Sequence, residues 1–125
     1  MKLLTIDDSR TIRRVISGIG AMLGFEVLEA ENGDAGLRVL AEQHEEIGLV
    51  LLDWNMPGMN GLEVLKAAKA DERFAHIPVM MVTTEGEKDY IIKAIQAGAV
   101  HYQTKPFGQE EMAARIMEAL GMGGV

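Results

Sequence analysis

Five polar residues able to do chemistry stand where short apolar runs stop. Asp7 and Asp8 follow Leu3-Leu4-Thr5-Ile6, Asp53 follows Leu49-Val50-Leu51-Leu52, Thr83 follows Val79-Met80-Met81-Val82, and Lys105 follows a weaker run near 100–104. Three carboxylates drawn into one pocket repel one another, and at least one pKa rises unless a cation offsets the charge. A hard divalent ion bound through oxygen is the economical remedy. Mg²⁺ takes one or two carboxylates, keeps several waters and leaves positions for a phosphate oxygen. Each residue also has a commonplace reading: Asp7-Asp8 or Thr83 as helix caps, Asp53 as a turn residue, Lys105 as a surface charge. Five such coincidences at five suitable strand ends are much harder to accept than any one of them.

The elements that would position these residues follow from periodicity. Ser9 is placed to cap a first helix whose stripe is Ile12, Val15, Ile16, Ile19, Met22 and Leu23, ended by Gly24, with Gly18 and Gly20 read as close-packing positions. Glu26 to Ala30 is a second strand, Asn32-Gly33 a turn, and Ala35, Leu37, Val39 and Leu40 mark a second helix reaching Gln43. Leu49 to Leu52 is the clearest buried strand. The segment Asn55 to Gly61 is a loop, since two further glycines and a proline interrupt any regular element, and Leu62, Val64 and Leu65 open a third helix. Val79 to Val82 is the fourth strand, Tyr90 to Ala97 a fourth helix closed by Gly98, and Val100 to Thr104 a poorly marked fifth strand. Glu110 and Glu111 suit the positive end of a last helix, and Gly121 to Val125 should fray.

Strands alternating with helices imply right-handed crossovers and a parallel sheet covered on both faces, an α/β doubly wound domain. In that topology all carboxyl ends of the strands share one edge, where ligands bind at the point of strand-order reversal. The order 2-1-3-4-5 is taken from one common class of such folds and is not read from the residues.

The bulk numbers narrow the function. A length of 125 residues with 48% hydrophobic and 25% charged content suits one soluble domain. A net charge of -7 repels phosphate backbones and anionic lipids, which argues against nucleic acid and membrane partners. The absence of cysteine excludes disulfides and thiolate chemistry. With no signal peptide and no apolar run long enough to span a bilayer, a cytoplasmic location is expected. His44, His76 and His101 lack metal spacing, and the nine methionines are packing residues.

Over essentially its whole length the chain resembles the receiver domains of two-component signalling. The resemblance rests on Asp7-Asp8, the segment Asp53-Trp54-Asn55-Met56-Pro57-Gly58-Met59-Asn60-Gly61, Thr83, and Lys105-Pro106-Phe107 in the family's order and spacing, with Tyr102 similar to its aromatic switch residue. Asp53 to Glu63 and Gln96 to Ala99 resemble in particular the single-domain chemotaxis regulators that bind the flagellar motor switch. The resemblance implies a flavodoxin-like (βα)5 fold, a receiver domain over 1–121 with a flexible tail at 122–125 and no output domain, and a monomer. It implies Asp53 as phosphoacceptor, Mg²⁺ held by Asp8, Asp53 and the carbonyl of Asn55 with Asp7 in support, and Lys105 and Thr83 on the phosphoryl oxygens. A cis peptide is expected before Pro106. The implied partners are a histidine kinase or histidine phosphotransfer domain, a motor switch protein and a phosphatase. A phosphorelay carrier is the alternative within the same family.

On that reading the site positions groups and neutralises charge during phosphoryl transfer, helped by helix N-termini on the same edge. The new charge draws Thr83 inward and lets Tyr102 turn from exposed to buried. A switch from 1:99 to 99:1 requires a bias of about 5.5 kcal/mol. The readout face would be the fourth helix, fifth strand and fifth helix, with Ile91 partly exposed and touching a partner or else packed in the core. Thr84 departs from the family, which usually has alanine there, and is expected to narrow access; Asn55 and Glu85 stand where the family tunes hydrolysis. An aspartyl-phosphate hydrolase is disfavoured, since such enzymes carry a second acid where this chain has Asn55. A flavin site is disfavoured because Asp7-Asp8 would repel phosphate.

Overall fold

A computed structural model describes residues 1–84 and 86–121. Strands and helices alternate as β1 (Lys2–Ile6), α1 (Arg10–Met22), β2 (Glu26–Ala30), α2 (Gly33–Gln43), β3 (Ile47–Leu52), α3 (Gly61–Ala70), β4 (Val79–Thr83), α4 (Lys88–Gln96), β5 (His101–Thr104) and α5 (Gln109–Ala119). The strands are parallel and ordered β2-β1-β3-β4-β5, the order expected.

The central strands are apolar on both faces, and their period of two divides them between two cores. Leu4, Ile6, Val50, Leu52 and Met81 face one helical layer with Leu40, Val64 and Leu65. Leu3, Leu49, Leu51, Met80 and Val82 face the other with Ile16, Ile19, Met112 and Ile116. Local signals set the helix starts. The Ser9 hydroxyl accepts from the Ile12 N–H at 3.3 Å, and the Asn32 side chain accepts from the Ala35 N–H at 2.8 Å. Asn60 and Glu63 exchange both bonds of a capping box at 2.9 and 3.1 Å.

Two expectations need correction. Val15 and Met22 do not belong to the buried stripe of α1: they are 45% and 70% exposed. Spaced seven apart, they share an outer edge of the helix, while Ile16 and Ile19 point inward. Gly20 does pack closely, since a Cβ there would press on Val27, but a Cβ at Gly18 would meet nothing within 4 Å. Gln103 is buried in β5, where its amide donates to the Thr104 carbonyl at 3.0 Å. The predicted fraying tail at 122–125 lies outside the described residues, among which no helix is long and apolar enough to cross a membrane.

Candidate functional site

The sheet ladder carries the polar residues to one edge. The Asp7 N–H donates to the Ala30 carbonyl at 3.0 Å, the Asp53 N–H to the Ile6 carbonyl at 3.0 Å, and the Lys105 N–H to the Thr83 carbonyl at 2.9 Å. Because Ile6 is paired with Leu52, Asp7 and Asp53 leave neighbouring strands at the same level. Asp7, Asp8 and Asp53 each offer a carboxylate oxygen, all within 4.8 Å of one another. Lys105 joins them, its Nζ 2.7 Å from Asp7 Oδ2 and 3.6 Å from Asp53 Oδ2. The Lys105-Pro106 peptide is cis, as expected. Thr83 is fully buried at the end of β4.

The electrostatics distinguish the three acids. Burial pushes the Asp53 carboxyl up to about 6, the Asp7 charge adds to the rise, Lys105 opposes it, and Asp8 contributes further. Both Asp7 oxygens are engaged: Oδ1 accepts from the Ser9 N–H at 2.9 Å and Oδ2 from Lys105. Arg13 anchors the same residue by donating to the Asp7 carbonyl at 2.7 Å. Asp8 is exposed. An all-oxygen donor set, buried on one side and wet on the other, fits a hard divalent cation that keeps part of its water shell. Asp8 and Asp53 are the carboxylates not already committed to Lys105 at 2.7 Å.

Other expected residues fall less centrally. Asn55 is exposed in the loop after Asp53. Tyr102 is half-buried against the first core, with its hydroxyl oxygen buried. Thr84 is exposed, and Glu85 lies outside the described residues. Ile91 is half-exposed, but Ile92 and Ile95 beside it are more open. The acidic trio contains none of the histidines; His101 instead faces Glu118 at 3.3 Å.

Two positioning features were missed. Gly61, read as a loop glycine, is the first residue of α3 and donates its N–H to the Trp54 carbonyl at 2.7 Å. A Cβ there would collide with the Asp53 carbonyl oxygen and stand 2.7 Å from Trp54 Cα. The capping-box residues Asn60 and Glu63 around it were the available signal. Trp54 itself is buried and meets Tyr90 edge-on, centroids 5.0 Å apart at 85°. No local pattern announces that contact.

Residues 3–117 match the response regulator receiver domain. The chain is 42% identical over 124 residues to a chemotaxis protein CheY homolog of Campylobacter jejuni, covering 98% of this chain and 95% of the relative. It is 43% identical over 122 residues to chemotaxis protein CheY1 of Helicobacter pylori, covering 97% and 98%. The structure of Vibrio cholerae chemotaxis protein CheY4 superposes with a TM-score of 0.88 at 29% identity, covering 94% of this chain and 97% of that one. The chain belongs to the response regulator receiver family, a class of two-component signalling proteins.

Proposed function

We propose that the protein is a phosphorylation switch in which Asp53 accepts a phosphoryl group from a phosphohistidine, and that it acts in chemotaxis between a histidine kinase and the flagellar motor switch. The observation that carries the reading is the placement of buried Asp53 within 4.8 Å of two further carboxylates and 3.6 Å from Lys105. In the transfer, an Asp53 oxygen bonds to phosphorus as the phosphorus–nitrogen bond of the donor breaks, and the departing imidazole keeps that electron pair and takes up a proton. Lys105 is held by Asp7 within reach of Asp53, so a short swing lets its ammonium pair with the incoming oxygens. Thr83, at the end of the neighbouring strand, donates its hydroxyl to the product. Mg²⁺ held by Asp8, Asp53 and the Asn55 carbonyl, with Asp7 in support, would supply further positive charge to the phosphoryl oxygens.

The chemotaxis assignment is supported by the names of the relatives. It is also supported by Ile92, Ile95 and Val100, which are 39%, 57% and 54% exposed on α4 and the approach to β5, an apolar surface suited to a protein partner. Incubation with Mg²⁺ and a phosphorylated histidine phosphotransfer domain should add one phosphoryl group by intact mass, and Asp53→Asn should abolish it. The labelled form should be retained by immobilised motor switch protein more strongly than the unlabelled form. Normal labelling of Asp53→Asn would remove Asp53 as the acceptor, and equal retention of both forms would remove the motor assignment.

A further inference from the structure

Away from the acidic edge, α3 and α4 flank an open groove of about 500 Å³ lined by Leu62, Lys66, Lys93, Gln96 and Ala97. On a chain of net charge -7 this groove is basic. Lys66 and Lys93 are exposed and take part in no ion pair among the described residues. Lys69 lies at the same helix pair: its stem runs beside Gly98, where a Cβ would stand 3.2 Å from its Cγ. Its ammonium is spent on the carbonyls of Ala75 and Ile77, at 3.0 and 2.7 Å, and brings no carboxylate with it. Two lysines lining one groove, with no carboxylate among its lining residues, both attract an anion placed between them. Leu62 and Ala97 give the groove an apolar lining, which a small hydrated anion would leave uncovered and an acidic peptide with apolar side chains would cover.

We infer that the α3–α4 groove docks an acidic, partly apolar peptide segment of a partner protein, with Lys66 and Lys93 pairing its carboxylates. The groove has a physical link to the phosphoryl site. Lys93 Nζ sits 5.9 Å from the Tyr90 ring centroid, Tyr90 meets Trp54 edge-on, and Trp54 follows Asp53 in the chain. A carboxylate that draws Lys93 away from Tyr90 alters the surroundings of Trp54, so occupancy is reported by the single tryptophan.

The inference goes beyond the phosphoryl-transfer reading and is tested without it, on unphosphorylated protein in a chelator. The probe is a short synthetic peptide of alternating glutamate and leucine, blocked at both ends, with a glutamine-for-glutamate counterpart as control. Titration should give saturable amide shifts centred on Leu62, Lys66, Lys93, Gln96 and Ala97, together with a change in Trp54 fluorescence. K66E and K93E, both surface changes, should each weaken binding about tenfold. Equal binding of the glutamine peptide, shifts centred on another face, or unchanged affinity in both variants would overturn the inference. So would identical shifts from acetate or inorganic phosphate alone, which would make the groove a small-anion site.

Discussion

Asp53 is ionised at neutral pH against a penalty. Burial and the charges of Asp7 and Asp8 lift its carboxyl from the ordinary 3.8 to about 6, and Lys105 offsets only part of that. A carboxyl whose pKa is raised on folding binds its proton more tightly in the folded state, so stability falls as pH rises through the window from about 4 to about 6. Above that window the deficit is complete, roughly 2–3 kcal/mol at about 1.4 kcal/mol per unit. In a chelator, Asp53→Asn should therefore raise unfolding stability by roughly that amount at pH values above about 7 and add almost nothing below about pH 4. Urea denaturation at the two pH extremes checks this, and an equal gain at both would remove the electrostatic explanation. The acids and Lys105 were legible in the sequence because each interrupts or follows an apolar run. That Lys105 bonds Asp7 more closely than Asp53 was not legible, since the two stand 98 positions apart and meet only across the sheet edge.

Two glycines separate what a helix tolerates from what the site demands. Gly18 lies within α1 and has open space where a Cβ would go. Gly18→Ala should stabilise the protein by about 0.5–1 kcal/mol through helix propensity alone. Gly61 opens α3 against the backbone of Asp53 and Trp54. Gly61→Ala should cost about 1–3 kcal/mol by overpacking and should also slow labelling of Asp53, because α3 must retreat from the strand end that presents it. Thermal unfolding of the pair checks the opposite signs, and a stabilised Gly61→Ala would show that the close approach is not required. Most element boundaries were legible from caps and periodicity, including Ser9 and Gly24 around α1. Val15 and Met22 were misplaced because apolarity at helical spacing does not reveal which edge of the stripe the neighbouring sheet covers. Spacing cannot distinguish the glycine that packs from the one that does not, because that depends on what crosses the helix.

The alternation of strands and helices made the doubly wound architecture legible, and with it the shared edge where β1, β3, β4 and β5 deliver their polar residues. Strand order was not legible in the same way, because alternation is compatible with more than one winding; the observed order is what sets Asp7 beside Asp53. This matters for stability as well as for chemistry. The acidic trio exists only when separate parts of the chain are folded together, so a cation bound there binds the native state and not the unfolded one. At a hundredfold excess over its dissociation constant, Mg²⁺ should add about 2.7 kcal/mol to the stability of the whole domain. Its thermal midpoint should rise by several degrees, whereas the same ionic strength of sodium chloride should not reproduce the shift. Asp8 is exposed and makes no contribution to either core. Asp8→Asn should therefore fold normally and lose most of the Mg²⁺-dependent rise. A midpoint that climbs equally in the variant would place the cation away from the carboxyl ends of the strands.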